Sequence, residues 1–274
     1  RDMEKLAGWT LHRMPGALYL PQRLGGRPAL SVRVGPARPG ALVLYFHGGA
    51  HVAGAPRTHL AILTGLARYG GIEVIALDQR LAPEHPFPAA LEDAEAAWNA
   101  LLACGYAPER IVLAGDSAGG GLALALLARL CARGTPPAGL VGLSPWTDLT
   151  GASPSMRENA ASEAMLVAER LPEVAALYLR DTPADDPGAS PLFAAFPGCP
   201  PVLLQCSDTE ILRDDSLRMA DRLRSFGAEV TVQLWPDAPH VWQLFLGWVP
   251  EARAALRDAG RAVQAMLSAP PRQP

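Results

Sequence analysis

The sequence predicts an α/β fold, a mostly parallel central sheet flanked by helices on both faces. Three observations carry this. From about residue 41 short apolar or β-branched runs alternate with longer helical patterns, as in successive strand–helix units. Most of the short runs are apolar throughout, as strands covered on both faces should be. Several helical stretches also end on a glycine (Gly70, Gly134, Gly227), where a left-handed cap is wanted. At 274 residues the chain can bury a large core. A single domain over 1–274, with cap elements at about 1–15 and 150–200, accounts for its organisation.

Taken in order, residues 1–8 are polar and helical in flavour, without the apolar core of a signal peptide. Residues up to about 40 carry Pro15, Pro21, Pro28, Pro36 and Pro39, with weak strand signals around Leu18 and 31–34, which predicts an antiparallel edge. Buried strands follow at 41–46, 72–77, 110–114, 140–143, 202–206 and 230–234. Helices are predicted at 58–69, 89–103, 118–133, 214–226 and 251–267. The region 150–200 breaks the rhythm: a helical stretch over 163–180 contains Pro172, and a Pro/Asp/Gly-rich run follows at 182–190. Connections this long in compact domains are usually functional, so it reads as a lid or cap. The last strand has Val230, Val232 and Leu234 on one face and neither Lys nor Pro inside it. Such an edge invites pairing, and a homodimer is expected.

Charge and composition exclude several classes. The net charge is −3, with 24 basic and 27 acidic residues intermixed, so no basic footprint for nucleic acid exists. The longest apolar runs, such as 122–128, fall far short of the roughly 20 residues that span a bilayer. Four cysteines without CxxC spacing (Cys104, Cys131, Cys199, Cys206) read as reduced thiols, and a cytoplasmic location is expected. No HExxH or other ligand spacing occurs, so neither a metal nor another cofactor is expected.

The strongest chemical signal is Gly115-Asp116-Ser117-Ala118-Gly119, directly after the strand run 111–114 and opening a helix at 120–124. In a strand–turn–helix setting this is a nucleophile elbow, with glycines on both sides removing side chains that would clash in the tight turn. A phosphate loop would need a Lys-Ser/Thr ending or GxGxxG order, and neither is present. Upstream, a strand ends in His47-Gly48-Gly49-Ala50. The backbone N–H groups of Gly48, Gly49 and Ala118 are expected to form an oxyanion hole. His240 is the only histidine after Ser117, and the order nucleophile, acid, base makes it the base. Of the others, His47 braces the oxyanion loop, His51 and Asp116 are expected at the substrate, and His12, His59 and His85 read as surface or packing residues. The acid lies in the cluster Asp208, Glu210, Asp214 and Asp215, and position alone does not separate Asp208 from Glu210.

At this point the chain resembles the hormone-sensitive-lipase-like (bacterial family IV) esterases, the third α/β-hydrolase family. The likeness covers nearly the whole chain. It rests on His47-Gly48-Gly49, on residues 115–120, on the run from Arg80 through Pro83-Glu84-His85-Pro86 to Ala90, on Ser144-Pro145-Trp146-Thr147-Asp148-Leu149, on Ser190-Pro191-Leu192 and on Pro239-His240-Val241-Trp242. The resemblance implies an α/β-hydrolase fold with a small helical cap, ester hydrolysis and dimers. The family's acid-x-Leu-x-Asp pattern falls on Glu210-Ile211-Leu212-Arg213-Asp214, which selects Glu210 as the acid. Three positions depart from the family: Ala50 replaces the third glycine of the oxyanion motif, Gln79 stands where Tyr usually precedes Arg-Leu-Ala-Pro, and the N-terminal cap is curtailed.

The leading expectation is a serine carboxylesterase acting on short to medium acyl esters, lactones included, with a small-molecule ester and water as its substrates. An amidase or formamidase on the same scaffold is the alternative, since a triad does not separate ester from amide. A non-catalytic receptor of this fold would have lost triad residues, and Ser117, Glu210 and His240 are all present.

Overall fold

The computed structural model describes residues 14–269. The predicted N-terminal cap element, like His12, therefore lies almost wholly outside the described residues. A hairpin of β1 (Ala17–Leu24) and β2 (Arg27–Val34) opens the fold, followed by β3 (Leu42–Phe46), α1 (Leu60–Gly70), β4 (Glu73–Leu77), α2 (Ala89–Ala103), β5 (Ile111–Asp116) and α3 (Ser117–Ala132). Then come β6 (Gly139–Leu143), a single turn α4 (Ser155–Glu158), α5 (Leu171–Leu179), β7 (Val202–Ser207), α6 (Arg213–Ser225), β8 (Val230–Trp235) and α7 (Pro250–Ser268). All eight strands join one sheet in the order β1-β2-β4-β3-β5-β6-β7-β8. β1 and β2 run antiparallel and β3 to β8 pair in parallel. This is the α/β-hydrolase fold.

Alternation along the strands explains why both faces are covered. In β3 the side chains of Leu42, Leu44 and Phe46 join the core under α2, α3 and α6. Val43 and Tyr45 point the other way, into the core under α1 and α7. The prolines sort by the same logic: Pro21 sits in β1, the outermost strand, where a missing ladder donor is tolerated. At the opposite edge, Val230 and Val232 of β8 pack on the core, whereas Leu234 is 50% exposed.

Two expectations shift in detail. The left-handed cap of α1 falls on Gly71 (φ 55°), one residue beyond Gly70. Pro172 does not interrupt a helix: a 3₁₀ turn at Ala168–Arg170 precedes α5, and Pro172 occupies the first turn of α5, where its missing N–H has no intrahelical partner to lose. No described helix is long and apolar enough to cross a membrane.

The carboxyl ends of β3, β7 and β8 lead into the loops holding residues 47–51, 208–210 and 236–240, and that of β5 leads directly into Ser117 at the start of α3. Open α/β sheets hold their sites at this end. Helix α3 begins there and is buried almost throughout, so its first turn must be thin. A Cβ on Gly121 would overlap the carbonyl oxygen of Trp146. Gly121→Ala is accordingly expected to lower the thermal midpoint by roughly 3–10 °C. An unchanged melting curve would show that this close approach is not a constraint.

Candidate active site

β5 passes into α3 without a loop, and Ser117, the first helical residue, sits at φ +51°. A non-glycine residue there costs about 1–2 kcal/mol, which the flanking contacts must hold. They leave no room for side chains: a Cβ on Gly115 would overlap the carbonyl of Gly119, and one on Gly119 the carbonyl of Phe46. The strain lifts the Ser117 hydroxyl toward the loop after β8.

There, His240 Nε2 lies 3.0 Å from Ser117 Oγ, and His240 Nδ1 lies 2.6 Å from Glu210 Oε2. The other oxygen of Glu210 accepts the amide N–H of Ser207 at 2.9 Å. All three residues are buried. A proton on Nδ1 donated to Glu210 leaves the Nε2 lone pair facing the hydroxyl, the tautomer that proton abstraction needs. Burial alone would lower the basicity of His240. The hydrogen bond and charge of Glu210, with the charges of Glu163 and Asp116, outweigh burial and raise its pKa above the usual imidazole value.

The rest of the acidic cluster is occupied elsewhere. Asp208 accepts the amide of Asp237 at 2.9 Å and so pins the His240 loop. Asp214 accepts the amide of Ser155 at 3.0 Å. Asp215 accepts those of Thr147 and Asp148 at 2.7 and 2.9 Å.

The oxyanion loop differs from expectation at two residues. Asp116, expected at the substrate, is 2% exposed and turned behind the loop. Its Oδ1 accepts the hydroxyl of Tyr45 at 2.5 Å and the amide of Gly48 at 3.0 Å, while Oδ2 pairs with His59 Nε2 at 3.2 Å. Gly48 thus spends its N–H on Asp116, and a Cβ at Gly48 would overlap that carboxylate. Among the described residues the amides of Gly49, Ala50 and Ala118, unlike that of Gly48, have no acceptor. Gly49, Ala50 and His51 are consecutively left-handed (φ 113°, 53° and 62°).

A family model for the alpha/beta hydrolase fold matches residues 43–244. The chain is 42% identical over 229 residues to an acetyl-hydrolase of Streptomyces hygroscopicus, spanning 83% of this chain and 77% of the relative. It is 40% identical over 221 residues to an esterase of Acinetobacter venetianus, spanning 79% and 72%. A crystal structure of an esterase from the bacterial hormone-sensitive lipase family matches at a TM-score of 0.95 and 39% identity, covering 98% of this chain and 91% of that one. The chain belongs to the hormone-sensitive-lipase-like esterases of the α/β-hydrolase fold.

Within this esterase the histidines around the loop have distinct surroundings. His47 Nδ1 lies 2.8 Å from the carbonyl of Gly48, a bracing contact, and burial lowers its pKa to about 4. His51 stacks on Tyr178 of α5, centroids 3.8 Å apart, with burial lowering its pKa to about 3. Both are neutral at neutral pH. Gln79, at the family's usual Tyr position, donates its amide to the carbonyl of His47 at 2.9 Å, another brace on the same loop. His85 is exposed.

His59 is the residue that sequence reasoning missed. It reads as a packing residue, yet it is 6% exposed and faces the buried Asp116. Burial opposes its charge, but the charge and hydrogen bond of Asp116 raise its pKa, and His59 in turn lowers that of Asp116. The pair's contribution to stability therefore has two limits. The raised His59 contributes fully below the ordinary imidazole value and loses its share as pH rises through the raised one. The lowered Asp116 contributes above the ordinary carboxylate value and loses its share as pH falls. The gap in unfolding free energy between wild type and His59→Gln should be widest between about pH 4 and 6.5. Urea titrations at a series of pH values measure it, and a gap that stays constant up to pH 9 would contradict a buried ion pair.

Proposed function

We propose that the protein is a serine carboxylesterase that hydrolyses short to medium acyl esters, lactones among them, through an acyl-enzyme. The observation that carries this reading is the unbroken hydrogen-bond chain from Ser117 through His240 to Glu210, next to three amides without acceptors. In this reading Ser117 Oγ attacks the ester carbonyl carbon while His240 Nε2 takes its proton. The oxyanion that forms accepts hydrogen bonds from the amides of Gly49, Ala50 and Ala118, and Glu210 stabilises the imidazolium. Collapse expels the alcohol, which leaves with the proton from His240. Water then attacks acyl-Ser117 by the same route and releases the acid. Two relatives are named acetyl-hydrolase and ethyl acetate hydrolase, which favours small acyl groups. The β6–β7 connection, with α5 stacked on His51, acts as the cap that limits acyl length. The amidase reading has no comparable observation in its favour.

Turnover of p-nitrophenyl acetate tests the triad. Ser117→Ala should lower kcat roughly a million-fold and Glu210→Gln on the order of ten-thousand-fold, whereas Asp208→Asn should cost far less. Full activity in a folded Ser117→Ala protein would end the nucleophile assignment, and a larger loss from Asp208 than from Glu210 would end that of the acid.

The same reading extends to assembly. β8 is an open sheet edge without Lys or Pro, and two copies pairing across it satisfy its free backbone groups with an isologous interface. Light scattering at micromolar concentration should give about twice the 29.0 kDa of one chain. A mass near that of a single chain would refute the dimer.

A further inference from the structure

The connection between β6 and β7 does more than lie over the site: it is hydrogen-bonded along the loop that carries Glu210. The side-chain amide of Asn159 donates to the carbonyls of Asp208 at 2.9 Å and of Glu210 at 2.8 Å. The Ser155 hydroxyl donates to the carbonyl of Ile211 at 2.7 Å, and that of Ser162 to the carbonyl of Thr209 at 3.0 Å. Glu163 closes the series. Its Oε2 accepts the amide of Ile211, the residue after Glu210, at 3.1 Å, while Oε1 accepts the amides of Met165 and Leu166 at 2.8 and 3.2 Å. One carboxylate thus ties the connection's own backbone to the acid's loop.

Glu163 also shares a cavity with Glu210. A space of about 240 Å³ lies between the connection, the Glu210 loop and the His240 loop, lined by Ser162, Glu163, Thr209, Glu210, Asp237 and Pro239 among others. The charged groups bearing on His240 come from three elements: Glu210 at the end of β7, Asp116 at the end of β5, and Glu163 from the connection. Asp237 also lines the cavity, and its amide is held by Asp208. Glu210 touches the imidazole and Asp116 is committed to Tyr45, Gly48 and His59, so Glu163 is the acid that a change in the connection's seating would displace.

We propose that Glu163 is a positioning residue for the reaction, fixing the Glu210 loop through the amide of Ile211 and acting on His240 through space, so that seating of the connection and readiness of the triad are one state. This rests on the triad assignment above.

The charge and the hydrogen bond can be tested separately with p-nitrophenyl acetate. A negative charge near His240 favours the imidazolium, and only the neutral imidazole accepts the proton from Ser117. Removing the charge therefore lowers the pKa of His240 and moves the acid limb of the kcat/KM profile to lower pH, by roughly half a unit in both Glu163→Gln and Glu163→Ala. Glu163→Gln keeps most of the shape but only one acceptor oxygen, enough for the Ile211 amide or for those of Met165 and Leu166 but not both, and its plateau kcat should lie between those of wild type and Glu163→Ala. Glu163→Ala should lower kcat about tenfold with KM changed less than twofold, because no role in substrate contact is assigned to it. An acid limb at the wild-type pH in Glu163→Gln would overturn the proposal even if Glu163→Ala fails to fold, and so would a loss confined to KM. The two readings fail separately. If Ser117→Ala is inactive and the limb does not move, only the role of Glu163 falls, whereas an active Ser117→Ala removes the triad assignment itself.

Discussion

A carboxylate buried behind a strained turn is stable only if its charge is matched, and the way Asp116 finds its partners shapes the carboxyl end of the sheet. It immediately precedes Ser117, so the two side chains leave the turn in opposite directions. One oxygen takes the Tyr45 hydroxyl and the Gly48 amide, and the other takes His59. These partners belong to β3, to the loop that follows it and to the turn before α1. Unpaired, such a charge would cost several kcal/mol. Paired, it ties the elbow and the oxyanion loop into one unit and leaves Gly49 and Ala50, rather than Gly48, with amides to offer.

The fold and the outline of the site were legible in the sequence because both rest on local signals. Buried parallel strands announce themselves as short apolar runs, and the elbow requires glycines at fixed offsets from Ser117. Glu210 became legible only through its offset from Leu212 and Asp214, since four carboxylates within eight residues look alike until their distant partners are known. What stayed hidden depends on contacts remote in sequence. Tyr45 and Asp116 are 71 residues apart, and no periodicity announces that His59 faces a buried acid. The misassigned amide of Gly48 follows from the same blindness, because a glycine next to an oxyanion motif looks free until the residue bonded to it is identified. Pro172 was legible as a helix breaker, but a proline inside a helix and one opening a helix differ only in where the preceding turn begins.

The β6–β7 connection touches the loop of His51 on one side and the loop of Glu210 on the other. Tyr178 of α5 stacks on His51 beyond the oxyanion loop and offers its carbonyl to the amide of Phe87 at 2.8 Å. Asn159, Ser155, Ser162 and Glu163 hold the loop of Glu210. A lid that swings open freely would have to break both sets of contacts, including the buried side-chain bonds of Asn159, each worth about 1 kcal/mol net. The connection is thus anchored on two sides, and any change in its seating would be felt at the Glu210 loop.

Asn159 gives that anchoring a further consequence. Its two bonds go to backbone carbonyls, of Asp208 and Glu210, so they constrain the path of the acid's loop rather than the identity of its side chains. Substitutions at the loop's outward side chains are compatible with the same anchor provided the backbone keeps its course. Wholesale grafting of a foreign cap is different. A chimera that imports a cap lacking an amide at this position leaves the carbonyl of Asp208 without its partner and that of Glu210 with only the amide of Arg213, so a loss of turnover in it would stem from the junction rather than from the new pocket.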